Sequence, residues 1–134
     1  MATRHHARMA VVSLLYAFDL GNGNTSEHTS EILEEKKIRN KQKDFALDLY
    51  DGVMNNLEVC DAKIVDNLKE WDFERLGSIE RATLRLATYE ILFGDLDSAV
   101  VINEAVEITK AFGTEQSPKF INGVLDAVSK NKPE

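Results

Sequence analysis

Residues 76–93 read LGSIERATLRLATYEILF, and the apolar positions Ile79, Ala82, Leu86, Tyr89 and Phe93 step by 3, 4, 3 and 4. That spacing stacks side chains on one face of an α-helix, whereas a half-buried strand would alternate every second residue. The stripe runs the length of the segment, so the helix can pack along its whole face, and Gly94 is its expected stop. Toward the C-terminus, Ile102, Ala105, Ile108 and Phe112 repeat the pattern and meet Gly113. Glycine there suits the left-handed conformation just past a helix end. A last helix opens at Ser117-Pro118, where Ser117 is the expected N-cap and Pro118 occupies a position that needs no amide. Its stripe is Ile121, Val124 or Leu125, and Val128, with a tail from about Asn131.

Toward the N-terminus the same period continues. Residues 59–70 place Val65 and Leu68 on one face, and Trp71-Asp72-Phe73 reads as an aromatic-anchored connection. Residues 41–57 carry Ala46, Tyr50, Val53 and Leu57 as one buried stripe, preceded by a short helix around 27–35. Gly21-Asn22-Gly23-Asn24 is a loop of residues that tolerate positive φ, and it ends a first helix over 4–20 with Val11, Leu14 or Leu15, and Phe18 inward. No period-two run of useful length competes. The reading is all-α, with about seven helices in two packed helical bundles and one domain over 1–134.

Composition agrees. With 134 residues, 43% of them hydrophobic, the chain can supply one sizeable core, and two prolines with seven glycines favour helices over a turn-rich sandwich. The longest apolar runs are four or five residues, such as 99–102, against the roughly 20 needed to span a bilayer. The basic N-terminus has no apolar signal core behind it, so a cytoplasmic, membrane-free protein is expected. Cys60 is the only cysteine, which excludes an internal disulfide; it reads as apolar filler. Catalytic sites are not expected: there is no phosphate-cradling glycine loop, no nucleophile beside a base and no metal-binding His motif, hence no cofactor and no metal.

A net charge of −7 argues against uniform coating of nucleic acid, so any RNA site must be local. Two basic segments allow one. Arg4, His5, His6 and Arg8 stand at the N-terminus with no acid before Asp19, and Lys36, Lys37, Arg39, Lys41 and Lys43 fall within 36–43. Each is either a phosphate contact or a solvated helix face.

Residues 76–93, together with INEAVEITKAFGTEQSPKFINGVL at 102–125, resemble the NusB family. The features that carry the resemblance are Glu80-Arg81, Leu84-Arg85, Tyr89-Glu90, the run Ile102-Asn103-Glu104-Ala105, and 119–125. At the N-terminus Leu15-Tyr16 is similar to a Leu-Tyr pair of the family, behind its arginine-rich start. Asp97-Ser98-Ala99 differs in lacking a proline common before the sixth helix.

The resemblance implies a non-enzymatic transcription antitermination factor. It would bind the boxA element of ribosomal RNA leader transcripts together with a small-subunit ribosomal protein, also called NusE, and help RNA polymerase resist premature, Rho-dependent termination. Candidate RNA-binding residues are Arg4, His5, Arg8, Tyr16, Phe112, Lys119, Phe120 and Asn122. Arg4 and Arg8 lie one helical turn apart and could follow a strand, and protonated His5 and His6 could add charge. Aromatic rings stack unpaired bases, and Lys119 stands beside a helix N-terminus. Phe112 continues an apolar stripe and reads more readily as core than as a stacking platform. Asn122 and Gly123 read equally as a loop brace and a close helix contact. Tyr16, Glu80 and Arg81 form the candidate surface for the ribosomal protein, an acidic group suiting an RNA-binding partner. The alternative reading is a helical protein-interaction module without specific RNA binding, and a homodimer could cover the same surface.

Overall fold

The computed structural model describes residues 3–21, 25–69 and 72–132. Residues 22–24 of the expected loop, Trp71 of the expected aromatic connection and the last two residues of the tail lie outside them. Among the described residues there are seven α-helices and no strand: α1 (Arg4–Asp19), α2 (Thr29–Glu35), α3 (Asn40–Asn55), α4 (Leu57–Asp66), α5 (Ser78–Phe93), α6 (Ser98–Phe112) and α7 (Ser117–Lys130). No helix among them is long and apolar enough to cross a membrane.

Two apolar clusters form the interior. The first joins α1, α2 and α3 through Val11, Leu14, Leu15, Leu33, Ala46, Tyr50 and Val53. The second joins α4, α6 and α7 through Ile64, Val101, Ala105, Ile121, Leu125 and Val128. Helix α5 belongs to both, giving Ala82 and Leu86 to the first and Leu84, Ala87 and Ile91 to the second. Every residue from 82 to 88 is therefore buried, polar Thr83, Arg85 and Thr88 included. The single stripe expected for this helix is corrected accordingly. A helix between two bundles is covered on opposite faces, and Phe93, at its far end, is half exposed.

Other stripes shift by a residue or two. In α4 the buried positions are Cys60 and Ile64, while Val65 is half exposed. Leu57 begins α4 and does not end α3. Both Leu14 and Leu15 are buried, and in α7 all of Ile121, Val124, Leu125 and Val128 point inward as expected.

Helix ends follow local chemistry. Thr3 caps α1 through a capping box whose third helical residue is His6: the Thr3 hydroxyl accepts from the His6 amide, and the Thr3 amide donates to His6 Nδ1. Gly21, with φ 85, follows the end of α1. Ser117 is not the cap of α7 but its first residue, behind Gln116; its Oγ accepts from the Thr114 amide at 3.0 Å and so braces the α6–α7 turn. Gly113 has an extended backbone, φ −95 and ψ −168, not the left-handed one expected. What requires glycine there is room, because a Cβ would lie 2.7 Å from Ser117 Oγ and 2.9 Å from the Thr109 carbonyl.

Candidate nucleic-acid interface

The first turn of α1 presents its basic residues in three different ways. Arg4 is exposed, with its guanidinium carbon 4.7 Å from the centre of the Phe45 ring on α3. This cation–π contact orients the group while leaving its charge at the surface. His5 is held by α6, its Nδ1 2.6 Å from Glu104 Oε2. Arg8 departs from the exposed strand-following face expected for it. It is 4% exposed, and its Nε and Nη2 bond the Glu90 carboxylate at 3.0 and 2.9 Å. A buried fork-to-fork pair of this kind ties α1 to α5 and leaves the Arg8 guanidinium turned inward.

Arg81 departs likewise from the partner surface. Its Nε and Nη2 bond Asp19 Oδ2 at 3.0 and 2.6 Å, and its Nη1 donates to the Phe73 carbonyl. Arg85 bonds the same Asp19 at 3.1 Å and grips Asp61 at 2.8 and 2.9 Å. Both guanidiniums lie about 5.5 Å from the Phe73 ring centre. Burial by itself would raise the Asp19 pKa, but hydrogen bonding and charge from Arg81, with the Arg85 charge and the Ser78 hydroxyl, outweigh it and hold the carboxyl below its ordinary 3.8. This network pins α1, α4 and α5 together at the join between the two bundles. Sequence reasoning missed Asp19, Asp61, Glu104 and Phe45 as anchors, because each acts through a residue 24 or more positions away.

Of the remaining candidates, Phe112 and Phe120 flank the turn between α6 and α7. On one side, Phe112 is 42% exposed and lines a groove of about 370 Å³ with His6, Met9, Ala10, Ser13, Lys36, Lys37 and Ile38. Its core reading is thereby set aside: the last α6 residue in either apolar cluster is Ile108, and one turn beyond it the terminal ring projects. On the other side, Phe120 and Glu80 share a smaller groove with Arg75, Leu76, Gly77, Thr114, Gln116 and Ser117. Phe120 also packs against the second cluster. Tyr16, 36% exposed on α1, and Leu20, 61% exposed, leave an apolar edge at the far end of that helix.

Lys119 and Asn122 point elsewhere. Lys119 is exposed and borders a wide groove that also holds Asp66, Lys69, Asp126 and Lys130. Asn122 is exposed beside Asp97 and Asp126, a setting unfavourable to phosphate. At Gly123 an added Cβ would meet open space, so the close-approach reading of that glycine does not hold. The 36–43 cluster divides: Arg39 and Lys43 both pair with Glu34, at 3.2 and 2.9 Å, whereas Lys36 and Lys37 face the groove of Phe112.

Cys60 is fully buried, and burial with the neighbouring Asp61 charge pushes its thiol up to about 12. It is filler, as expected. Among the described residues no group of three His, Cys, Asp or Glu side chains could hold a metal ion.

Comparison with known proteins fits this architecture. The profile of the NusB family matches residues 5–130. The transcription antitermination protein NusB of Sulfurimonas denitrificans is 85% identical over 132 residues, which cover 98% of this chain and all of that one. The solved structure of T. maritima NusB superimposes with a TM-score of 0.86 at 37% identity, covering 99% of this chain and 94% of that one. A crystal structure of antitermination factors NusB and NusE in complex with dsRNA gives a TM-score of 0.86 at 35% identity, covering 95% and 96%. Matched in sequence and in fold along nearly its whole length, the chain belongs to the NusB family of transcription antitermination proteins, which are not enzymes.

Proposed function

We propose that this protein binds boxA-type single-stranded RNA of ribosomal RNA leader transcripts together with NusE, the small-subunit ribosomal protein. The pair then joins the RNA polymerase antitermination complex and opposes premature, Rho-dependent termination in the cytoplasm. The observation that carries the RNA and NusE part of this reading is the 35% identical structure of NusB and NusE with dsRNA, which matches this chain over 95% of its length. Local geometry agrees with it. Arg4 offers an exposed, oriented guanidinium, and Phe112 an exposed ring of the sort that stacks unpaired bases. Glu80, Tyr16 and the Phe120 groove offer a mixed acidic and apolar surface for a basic protein. Arg8 and Arg81 support these surfaces from within: Arg8 fixes α1 against α5, and Arg81 holds the helix that carries Glu80. A homodimer using the Tyr16 and Glu80 surface would compete with NusE for it.

The test is fluorescence anisotropy of a labelled boxA RNA against a scrambled control, with this protein alone and with NusE, at two salt concentrations. Selective binding that NusE strengthens is expected, and by linkage RNA must then strengthen the binding of NusE equally. Absence of selective binding in both conditions by a folded sample would favour a protein-interaction module.

A further inference from the structure

We infer that Lys36 and Lys37, on the turn between α2 and α3, build with His6 and Phe112 a second nucleotide subsite for single-stranded RNA, the ring taking a base and the lysines the flanking phosphates. This rests on the RNA-binding reading above and extends its footprint across a groove to an element remote in sequence.

Charge singles the groove out. The other grooves described each carry carboxylates: Glu80; Asp48, Glu90 and Asp95; Asp66 and Asp126; Asp97 and Asp126. The lining of this one holds two lysines, a histidine and no acid, in a protein of net charge −7. Its floor, Met9, Ala10, Ile38 and Phe112, is apolar, and its volume of about 370 Å³ is within the range of small-ligand sites. An apolar floor with a cationic rim is what a base with its phosphates requires.

His6 is set for the same task. Its Nδ1 accepts the Thr3 amide at 3.1 Å, so the neutral ring carries its hydrogen on Nε2 and can donate to a phosphate or base oxygen.

The backbone supplies an independent reason. Helix α2 ends in a Schellman motif: the Lys37 amide donates to the Glu34 carbonyl and the Ile38 amide to the Leu33 carbonyl, with Ile38 buried beneath. Lys37 occupies the left-handed position of that motif, with φ 62. Glycine is the usual occupant there, and a lysine is strained. A lysine there costs folding backbone strain, whereas a groove for phosphate gains a charge held on a fixed turn. Strain kept at one position in this way points to use.

The same strain supplies a clean test. Lys37→Gly should leave Tm unchanged or raise it while weakening binding of labelled boxA RNA by this protein with NusE. Lys36→Gln with Lys37→Gln should reduce the slope of log K against log salt by about 0.7 for each phosphate no longer neutralised. Phe112→Leu should weaken binding about 5- to 150-fold, the loss of one stacked base. Wild-type affinity and salt slope in both lysine variants would overturn the subsite while leaving the boxA reading standing. Failure of the wild-type protein to bind RNA at all would remove both.

Discussion

Replacing Arg8 separates an RNA contact from a structural strut. The Arg8 and Glu90 side chains are only 5% and 8% exposed and share three hydrogen bonds, at 3.2, 3.0 and 2.9 Å. Arg8→Ala removes the cation and leaves a carboxylate inside the first bundle without its charge partner. Breaking one side of such a pair costs about 3–5 kcal/mol. At roughly 3–5 °C per kcal/mol for a chain of this size, Tm should fall by about 10–20 °C. Arg8→Met combined with Glu90→Leu removes both charges and keeps volume, so it should recover most of the loss, since apolar replacement of a whole buried pair is often neutral. The Arg8 single variant, the Glu90 single variant and the pair form a thermal-melt cycle that isolates the coupling. Arg4→Ala is the contrast: exposed against Phe45, it should move Tm by no more than about 2 °C while weakening RNA binding. Should Arg8→Ala melt within about 2 °C of wild type and lose RNA binding, Arg8 would be a surface ligand and the strut would be refuted.

Acid stability should depend on the network at the bundle join. The Asp19 pKa is lowered in the folded protein, so its contribution is complete above the unfolded value near 4 and disappears as pH falls through the folded value. Asp19→Asn should therefore destabilise at pH 7 and differ progressively less from wild type below about pH 4, in melts recorded across that range. A thiol-specific reagent should leave Cys60 unmodified at pH 8 in native protein and react with it on addition of denaturant, because its thiol is buried and pushed up to about 12. Gly113→Ala should cost about 1–3 kcal/mol in urea melts, since its Cβ would displace Ser117 Oγ and crowd the Thr109 carbonyl. A substitution there without cost would show that the α6–α7 turn can shift freely.

Much is legible from the chain alone. The 3.6-residue period points to seven helices because each hides an apolar face. The 76–93 and 102–125 stretches point to the family because several residue types stand there together in its order and spacing. Periodicity misleads most at α5, where it indicates one hidden face. Packing between two bundles hides two, so that Arg85 and Glu90 are buried with the leucines.

The site divides along the same line. Sequence by itself determined which residue types are available: a basic N-terminus, a lysine cluster, and aromatic residues around Gly113. It also determined that helices carry them, since helical period and capping are local properties. Only the tertiary structure decided which charges face water. Arg4 and Arg8 are one turn apart on one helix, yet Glu90, 82 positions along, turns the second inward, and Glu34 occupies Arg39 and Lys43 while Lys36 and Lys37 stay in the groove with Phe112. The reason is physical: a charge stays at the surface or is neutralised inside according to its neighbours in space, and for these residues the deciding neighbour usually belongs to another helix.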